Sequence, residues 1–403
     1  MIIAKTCKEV KKTMLSEKIQ KTLEQAVEDG VASGVGVLVM KDGKEAAFAA
    51  AGYRDIENAL PVERSTIYRM YSMSKPVTGA AAVLLASEGA IDLAADAAVY
   101  LPEFEVQLTR ENGVLRSVKR RMTVKDLLNM TSGVPYPSDE DTAGMRAGAV
   151  FDEVCRRLYT DAPVTTKEFS EMMAKNELSF DPGSQFRYGA GADILGALIE
   201  RVSGMSFGDY LKSRIFEPLG MNDTGFDVPA AKSRRLAKVY EYTPDGLKEN
   251  RTNHLGMRYM RDKKAAFESG GAGICSTLED YAKFGTMLLN GGVYNGRRIM
   301  PEAAVRFFTH GGITPEQRTA LWSGWDWTKG YGYGNLMRVC ENEELTTLFS
   351  SKGEYGWDGW LGTFFSNEPQ HGITYLLGVQ QIDMSRTGIL TRRIKNMIMS
   401  ELA

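Results

Sequence analysis

Apolar positions change their period several times along the chain. After Ser16, which reads as a helix N-cap, Ile19, Leu23, Ala26 and Val27 recur at helical spacing until Gly30 stops them. Residues 34–40 (GVGVLVM) and 45–53 (EAAFAAAGY) then read as strands. The turn Lys41-Asp42-Gly43-Lys44 between them contains Asp-Gly, a strong signal for a tight hairpin. Residues 76–89 are apolar on every side, the mark of a buried helix. From about 90 to 260 the pattern is helical or irregular. Its clearest helices are 122–133 and 191–204, the second with Ile194, Leu195, Leu198, Ile199 and Val202 on one stripe. Strand patterns return near 330 in YGYGNLMRVC, EYGWDGWLGTFFS and GITYLLGVQQ, and residues 387–402 close the chain as an amphipathic helix.

Strands at both ends and helices between them predict an α/β fold of the α+β type. One antiparallel sheet joins the two ends of the chain and is flanked by the N- and C-terminal helices. Residues 1–84 and 265–403 form this discontinuous domain, and residues 85–264 form an inserted, mainly helical one. The active site is expected where the two meet.

Composition removes several classes of function. Forty-nine basic and fifty-one acidic residues among 403 give no electrostatic reason for a nucleic-acid or anionic-membrane partner. No apolar run is long enough to span a bilayer. Cys7, Cys155, Cys275 and Cys340 lie far apart, which fits a reducing compartment better than a disulfide framework. The first fifteen residues lack the apolar stretch of a secretory signal, so the expected location is cytoplasmic. Only three histidines exist (His254, His310 and His371), none paired at ligand spacing, so no metal site is expected. The same scarcity leaves a hydrolase few histidines to use as its base.

The candidate nucleophile is Ser72, in the chain's one Ser-x-x-Lys, Ser72-Met73-Ser74-Lys75. It opens the buried helix, and Pro76 falls in the first turn, where a missing N–H sacrifices no helical bond. Residues three apart share a helix face, so the Lys75 amine reaches the Ser72 hydroxyl. Burial lowers a lysine's pKa from ~10.4 and lets it accept the serine's proton. Standing alone, the same four residues would more often be a helix cap beside a surface lysine.

The surrounding segments change that balance. TIYRMYSMSKPVTGAAAVLLASEGAIDLAADAAVYLPEFE (66–105), MTVKDLLNMTSGVPY (122–136), FRYGAGADILGALIERVSG (186–204), IFEPLGMNDTGF (215–226) and SGGAGICSTLEDYAKFGTMLLNGG (269–292) together resemble the serine β-lactamase-like superfamily, in the branch of class C β-lactamases and family VIII carboxylesterases. The resemblance spans roughly residues 15–400 and keeps the motif order. It implies an acyl-enzyme mechanism that needs no cofactor. At the place of the family's Tyr-x-Asn stand Tyr188-Gly189-Ala190, and Tyr188 would share a proton with Lys75 as one coupled pair. At the place of Lys-Thr-Gly stand Trp357-Asp358-Gly359. Gly359 would let substrate approach the strand, and the Trp360 N–H would join that of Ser72 as an oxyanion hole. Strand alternation should turn Asp358 away from the face of Trp357. Ala190 and Trp357 depart from the family pattern. One loses the amide that binds an acylamino side chain, the other the cation that binds a substrate carboxylate. The implied substrate is a small neutral ester rather than an anionic lactam. Water or another acceptor could complete the reaction, so an acyltransferase remains open, as does a β-lactamase or DD-peptidase; a non-catalytic binding module is the remaining alternative.

Gly204-Met205-Ser206-Phe207-Gly208 matches a nucleophile elbow, but a helical stripe precedes it where a strand is required, so Ser206 is expected to sit in a helix-ending turn. His371 would be its partner by chain order. The Trp-rich stretch 321–334 is either an acyl-pocket wall or strand-edge packing. Met70, Met73 and Met130 are either pocket wall or core.

Overall fold

A computed structural model describes the backbone of residues 2–403 except Asp383, and side chains from Met14 onward except Asp383. Cys7 therefore lies outside the described side chains. An eight-stranded antiparallel sheet joins both ends of the chain. Its strands run, in spatial order, Tyr331–Gly334, Met337–Cys340, Tyr355–Asp358, Phe364–Glu368, Ile373–Val379, Gly34–Lys41, Lys44–Asp55 and Leu60–Pro61. The seam between the chain's two ends is the pairing of Val35–Lys41 with Ile373–Val379. The expected hairpin is present, with Asp42 and Gly43 both at positive φ (51° and 71°), the pair a type I′ turn requires.

The helices Ile2–Glu28 and Met384–Leu402 cover one face of the sheet, where Leu15, Ile19 and Leu23 meet Val37, Leu377, Ile394 and Ile398. The first of these helices is longer than expected. Ser16 lies inside it and is no cap, because the apolar stripe already includes Leu15. Buried charges tie the last helix down: Lys395 pairs with Glu354 (3.1 Å) and Glu368 (3.0 Å), and Arg338 with Glu354 (2.8 Å). Removing one partner of such a set typically costs ~3–5 kcal/mol.

The helix Leu278–Leu289 packs on the other face, against Gly34–Lys41 and Ile373–Val379. Beyond it lies the largest core, built around the helices Ser74–Ser87 and Gly191–Ser203. The expected helix near 122–133 is shorter, Val124–Asn129. Thr123 and Asp126 close a capping box at its start, and Met130 ends it at φ 58°. The middle segment also carries two small hairpins, at 108–117 and 240–249, which its polar pattern did not announce. Met70, Met73 and Met130 are fully buried core. Among the described residues no helix is long and apolar enough to cross a membrane, and no His, Cys, Asp and Glu cluster could hold a metal ion.

Candidate active site

Ser72 sits in a single 3-10 turn, Tyr71–Met73, that runs straight into the helix Ser74–Ser87. Tyr71 is held at φ 44°, a left-handed conformation unusual for a bulky residue and often found beside functional groups. Two contacts pin the turn from outside: Tyr281 donates to the Met73 carbonyl (2.7 Å), and the Ser74 hydroxyl accepts from the Ile274 N–H (3.0 Å).

One helical turn on, Lys75 is fully buried. Its Nζ lies 3.2 Å from Ser72 Oγ, 3.0 Å from Tyr136 Oη and 2.9 Å from the Gly271 carbonyl. Burial pushes its pKa down to about 7, with the negative charges of Asp193 and Asp358 resisting the fall. A lysine in this state is a competent base near neutral pH. The neutral amine can accept from Ser72 and still donate to Tyr136 and Gly271.

Tyr188 reaches the same serine: Ser72 is its hydrogen-bond partner, and Trp357 Nε1 donates to its oxygen at 3.0 Å. Lys75 Nζ stands 4.6 Å above the Tyr188 ring rather than bonding to its hydroxyl. Burial raises the pKa of Tyr188, so it is a phenol at neutral pH. The lysine's phenolic partner is instead Tyr136. Residues 135 and 189 form an isolated bridge that sets Tyr136 and Tyr188 side by side, ring centroids 5.8 Å apart. A Cβ on Gly189 would lie 2.1 Å from the Val134 carbonyl, so only glycine permits this approach.

Behind Tyr136 is Asp193, 1 % exposed, from the helix Gly191–Ser203. It accepts from Ser269, from the Gly271 N–H (3.1 Å) and from Tyr136 (3.3 Å). A continuous chain therefore runs Ser72–Lys75–Tyr136–Asp193. The sequence reading gave neither Tyr136 nor Asp193 a role. A carboxylate inside an apolar helical stripe was the available signal for Asp193. Tyr136 carried none, because Tyr188, its neighbour across the bridge, is 52 positions away in the chain.

The strand Tyr355–Asp358 forms the opposite wall. Trp357 is buried, and its ring packs on Tyr188, Trp325 and Tyr333. Trp360 stacks on His254 (3.8 Å between centroids, 19° between planes) and leans on Tyr71. Burial lowers the His254 pKa to about 4, so this histidine is a neutral wall. Ser72, Tyr188, Trp325, Trp357, Asp358 and Trp360 line one cavity of about 480 Å³, which continues past Phe364 to Arg392 on the last helix. Of the Trp-rich stretch, Trp325 and Trp327 line the cavity, while Trp322 bonds the Tyr331 carbonyl.

Three expectations need correction. Gly359 does not open the strand to substrate: a Cβ there would meet the Met70 carbonyl at 2.3 Å and Thr363 Oγ1 at 2.2 Å. Its bareness lets the strand end close on the nucleophile turn, where Thr363 also donates to the Met70 carbonyl (3.2 Å). Ala190 is fully buried at the start of its helix and does not reach the cavity surface. Asp358, at the end of the same strand, lines the cavity together with Trp357, so strand alternation does not keep it out of the site. Burial raises its pKa to about 6, countered first by Arg338. Ser206, by contrast, is where it was expected. It accepts from the Asp209 N–H as the cap of Phe207–Leu211, just after Gly204 ends the preceding helix. His371 lies against Ser351 instead.

Comparison with known proteins places the chain in a family. The family model described as Beta-lactamase matches residues 19–384. Protein Rv1367c of Mycobacterium tuberculosis is 29% identical over 370 residues, covering 90% of this chain and 89% of its own. Esterase EstB of Burkholderia gladioli is 25% identical over 401 residues, 95% of each chain. Among solved structures, EstCE1, described as a hydrolase with promiscuous acyltransferase activity, superposes with a TM-score of 0.82 at 23% identity, covering 97% of this chain and 100% of that one.

Proposed function

Because the chain belongs to the beta-lactamase family, we propose that it is a serine hydrolase that opens neutral carboxylic esters through an acyl-enzyme on Ser72. The carrying observation is the 3.2 Å contact between Ser72 Oγ and a buried Lys75 whose pKa is about 7, at the mouth of an aromatic cavity.

In this mechanism neutral Lys75 takes the hydroxyl proton as Ser72 Oγ bonds to the ester carbon. The N–H groups of Ser72 and Trp360 receive the oxyanion, each donor being worth ~2.7–4 kcal/mol in the transition state. Protonated Lys75 then passes that proton to the departing alcohol, while Tyr188, held by Trp357 and hydrogen-bonded to Ser72, orients the serine and the leaving oxygen. Water then attacks the ester on Ser72 with Lys75 again as base, releasing the acid and restoring the hydroxyl. Tyr136 and Asp193 keep the lysine oriented and set its proton affinity.

The neutral-ester preference is supported by Trp357. Its indole N–H is committed to Tyr188, and an apolar ring fills the place where a cation would hold a substrate carboxylate. A second reading, toward lactams bearing a carboxylate, is favoured by Arg392, a half-buried cation at the far end of the cavity. The resemblance of EstB and EstCE1 supports the ester reading, and the promiscuous acyltransferase activity of EstCE1 extends it to acceptors other than water. Measuring kcat/KM on p-nitrophenyl butyrate and on nitrocefin decides between the readings. The ester should be the better substrate by a wide margin; efficient nitrocefin turnover with little ester activity would establish the second reading instead.

A further inference from the structure

Just before the nucleophile turn, on the short strand Tyr68–Arg69 and on the segment near residue 261, two arginines are buried without a carboxylate partner among the described residues. Arg69 (3 % exposed) and Arg261 (4 % exposed) both line a cavity of about 410 Å³, and neither belongs to an ion pair among the described residues. Arg69 donates to the carbonyls of Ala237 and Tyr259 (2.6 Å each) and lies 4.5 Å above the Tyr259 ring, but its Nε has no partner. Arg261 donates from Nη1 to the Gly273 carbonyl (3.2 Å) and sits 3.6 Å from Met257 Sδ. Its Nε and Nη2, the edge that grips an oxyanion side-on, have no partner at all.

Carbonyls satisfy individual N–H groups without neutralising a guanidinium, and an unpaired buried charge is costly. Burial disfavours the charge on Arg69, and the neighbouring Arg261 disfavours it further. The carboxylates around the cavity are already engaged: Asp55 and Glu249 by Lys238 (3.0 and 3.2 Å), and Asp262 by Arg258 (3.6 Å). The cavity lining thus carries five cations (Arg69, Arg234, Lys238, Arg251 and Arg261) against three carboxylates, an excess of two positive charges, and none of the carboxylates pairs with Arg69 or Arg261 among the described residues. Arg261 also borders a second cavity, of about 270 Å³, which gives its side chain room to turn.

We propose that Arg69 and Arg261 form a binding site for a dianionic oxyanion of the phosphate class, with a cavity large enough for a small phosphomonoester. The two guanidinium charges match a dianion, and the three unpartnered guanidinium nitrogens, closed off from solvent as they stand, supply its hydrogen bonds once the Arg261 side chain turns toward the cavity. Arg69 stands three residues before Ser72, and Arg261 lies on the segment that also carries His254, the ring stacked on Trp360. Bound anion would therefore brace both sides of the catalytic turn.

The test titrates the whole protein with inorganic phosphate at fixed ionic strength, following heat of binding and thermal unfolding. The expected result is a saturable response at millimolar phosphate, with Tm rising by about 2 °C or more. Glycerol phosphate should give the same response, and acetate one at least about tenfold weaker. Arg261→Met should lose the response and, freed of an uncompensated charge, unfold at no lower temperature without phosphate. If that variant does not fold, Arg261→Lys, which keeps the charge but not the fork, should weaken phosphate binding. A wild type with no saturable response, an undiminished response in the variant, or acetate binding as well as phosphate would overturn the proposal.

Discussion

Replacing Asp193 by asparagine should let the enzyme work at lower pH. Burial makes a positive charge costly on Lys75, and Asp193 is the first of the carboxylates that favour it. The two groups are linked through Tyr136 by hydrogen bonds of 3.0 and 3.3 Å. The charges are therefore ~6 Å apart, and at an effective dielectric constant of ~20 their attraction is ~3 kcal/mol, or about two pH units on Lys75. Water in the cavity screens part of this, so the expected change is about one to two pH units. Asparagine has the same shape and still accepts from Ser269 and the Gly271 N–H, so the fold should persist. The sign follows directly: without the anion, protonated Lys75 is less stable and gives up its proton at lower pH. The acid limb of kcat/KM reports the free enzyme's base. It should move from near 7 to between ~5 and ~6. The assay is hydrolysis of a p-nitrophenyl ester across this range, read at the isosbestic wavelength of nitrophenol. A limb that stays in place would mean that Asp193 carries no charge or that Lys75 is not the base. A limb that moves upward would contradict the electrostatic reasoning outright.

Three further outcomes are expected. Tyr188→Phe should lower kcat by ~10²–10⁴ on the same ester, whereas Tyr136→Phe, which touches the lysine rather than the serine, should cost less and alter the pH profile; equal losses with unchanged profiles would place the two tyrosines in other roles. Gly359→Ala should push the strand end away from Met70 and displace the Trp360 N–H, lowering kcat by ~10²–10³ at nearly unchanged KM, and a normal rate would remove that N–H from the oxyanion hole. Trp357→Lys should raise the ratio of nitrocefin to ester turnover, partly because Tyr188 loses the indole donor, and a falling ratio would show that position 357 does not set charge preference.

The strands at the chain ends, the I′ hairpin and the nucleophile helix were legible because period-2 patterns, Asp-Gly and an all-apolar run each have one local explanation. Ser72 and Lys75 were legible for the same reason: one helical turn relates them whatever the rest of the chain does. The environment of Lys75 was not. Tyr136, Asp193 and Gly271 come from three separate segments, and only the bridge between residues 135 and 189 and the burial of one helix bring them together. Gly359 and Ala190 were misread for a related reason. A motif position says which residue stands near the site, but not whether the surface facing it belongs to substrate or to the protein, and here Met70 claims the space at Gly359.

The most direct test of the catalytic assignment is to label the protein with a fluorophosphonate and map the modified peptide by mass spectrometry. The adduct should lie on Ser72 and be absent from Ser72→Ala, with ester hydrolysis lost in the same variant. An adduct on Ser206 or elsewhere that persists in Ser72→Ala, together with retained esterase activity, would contradict it.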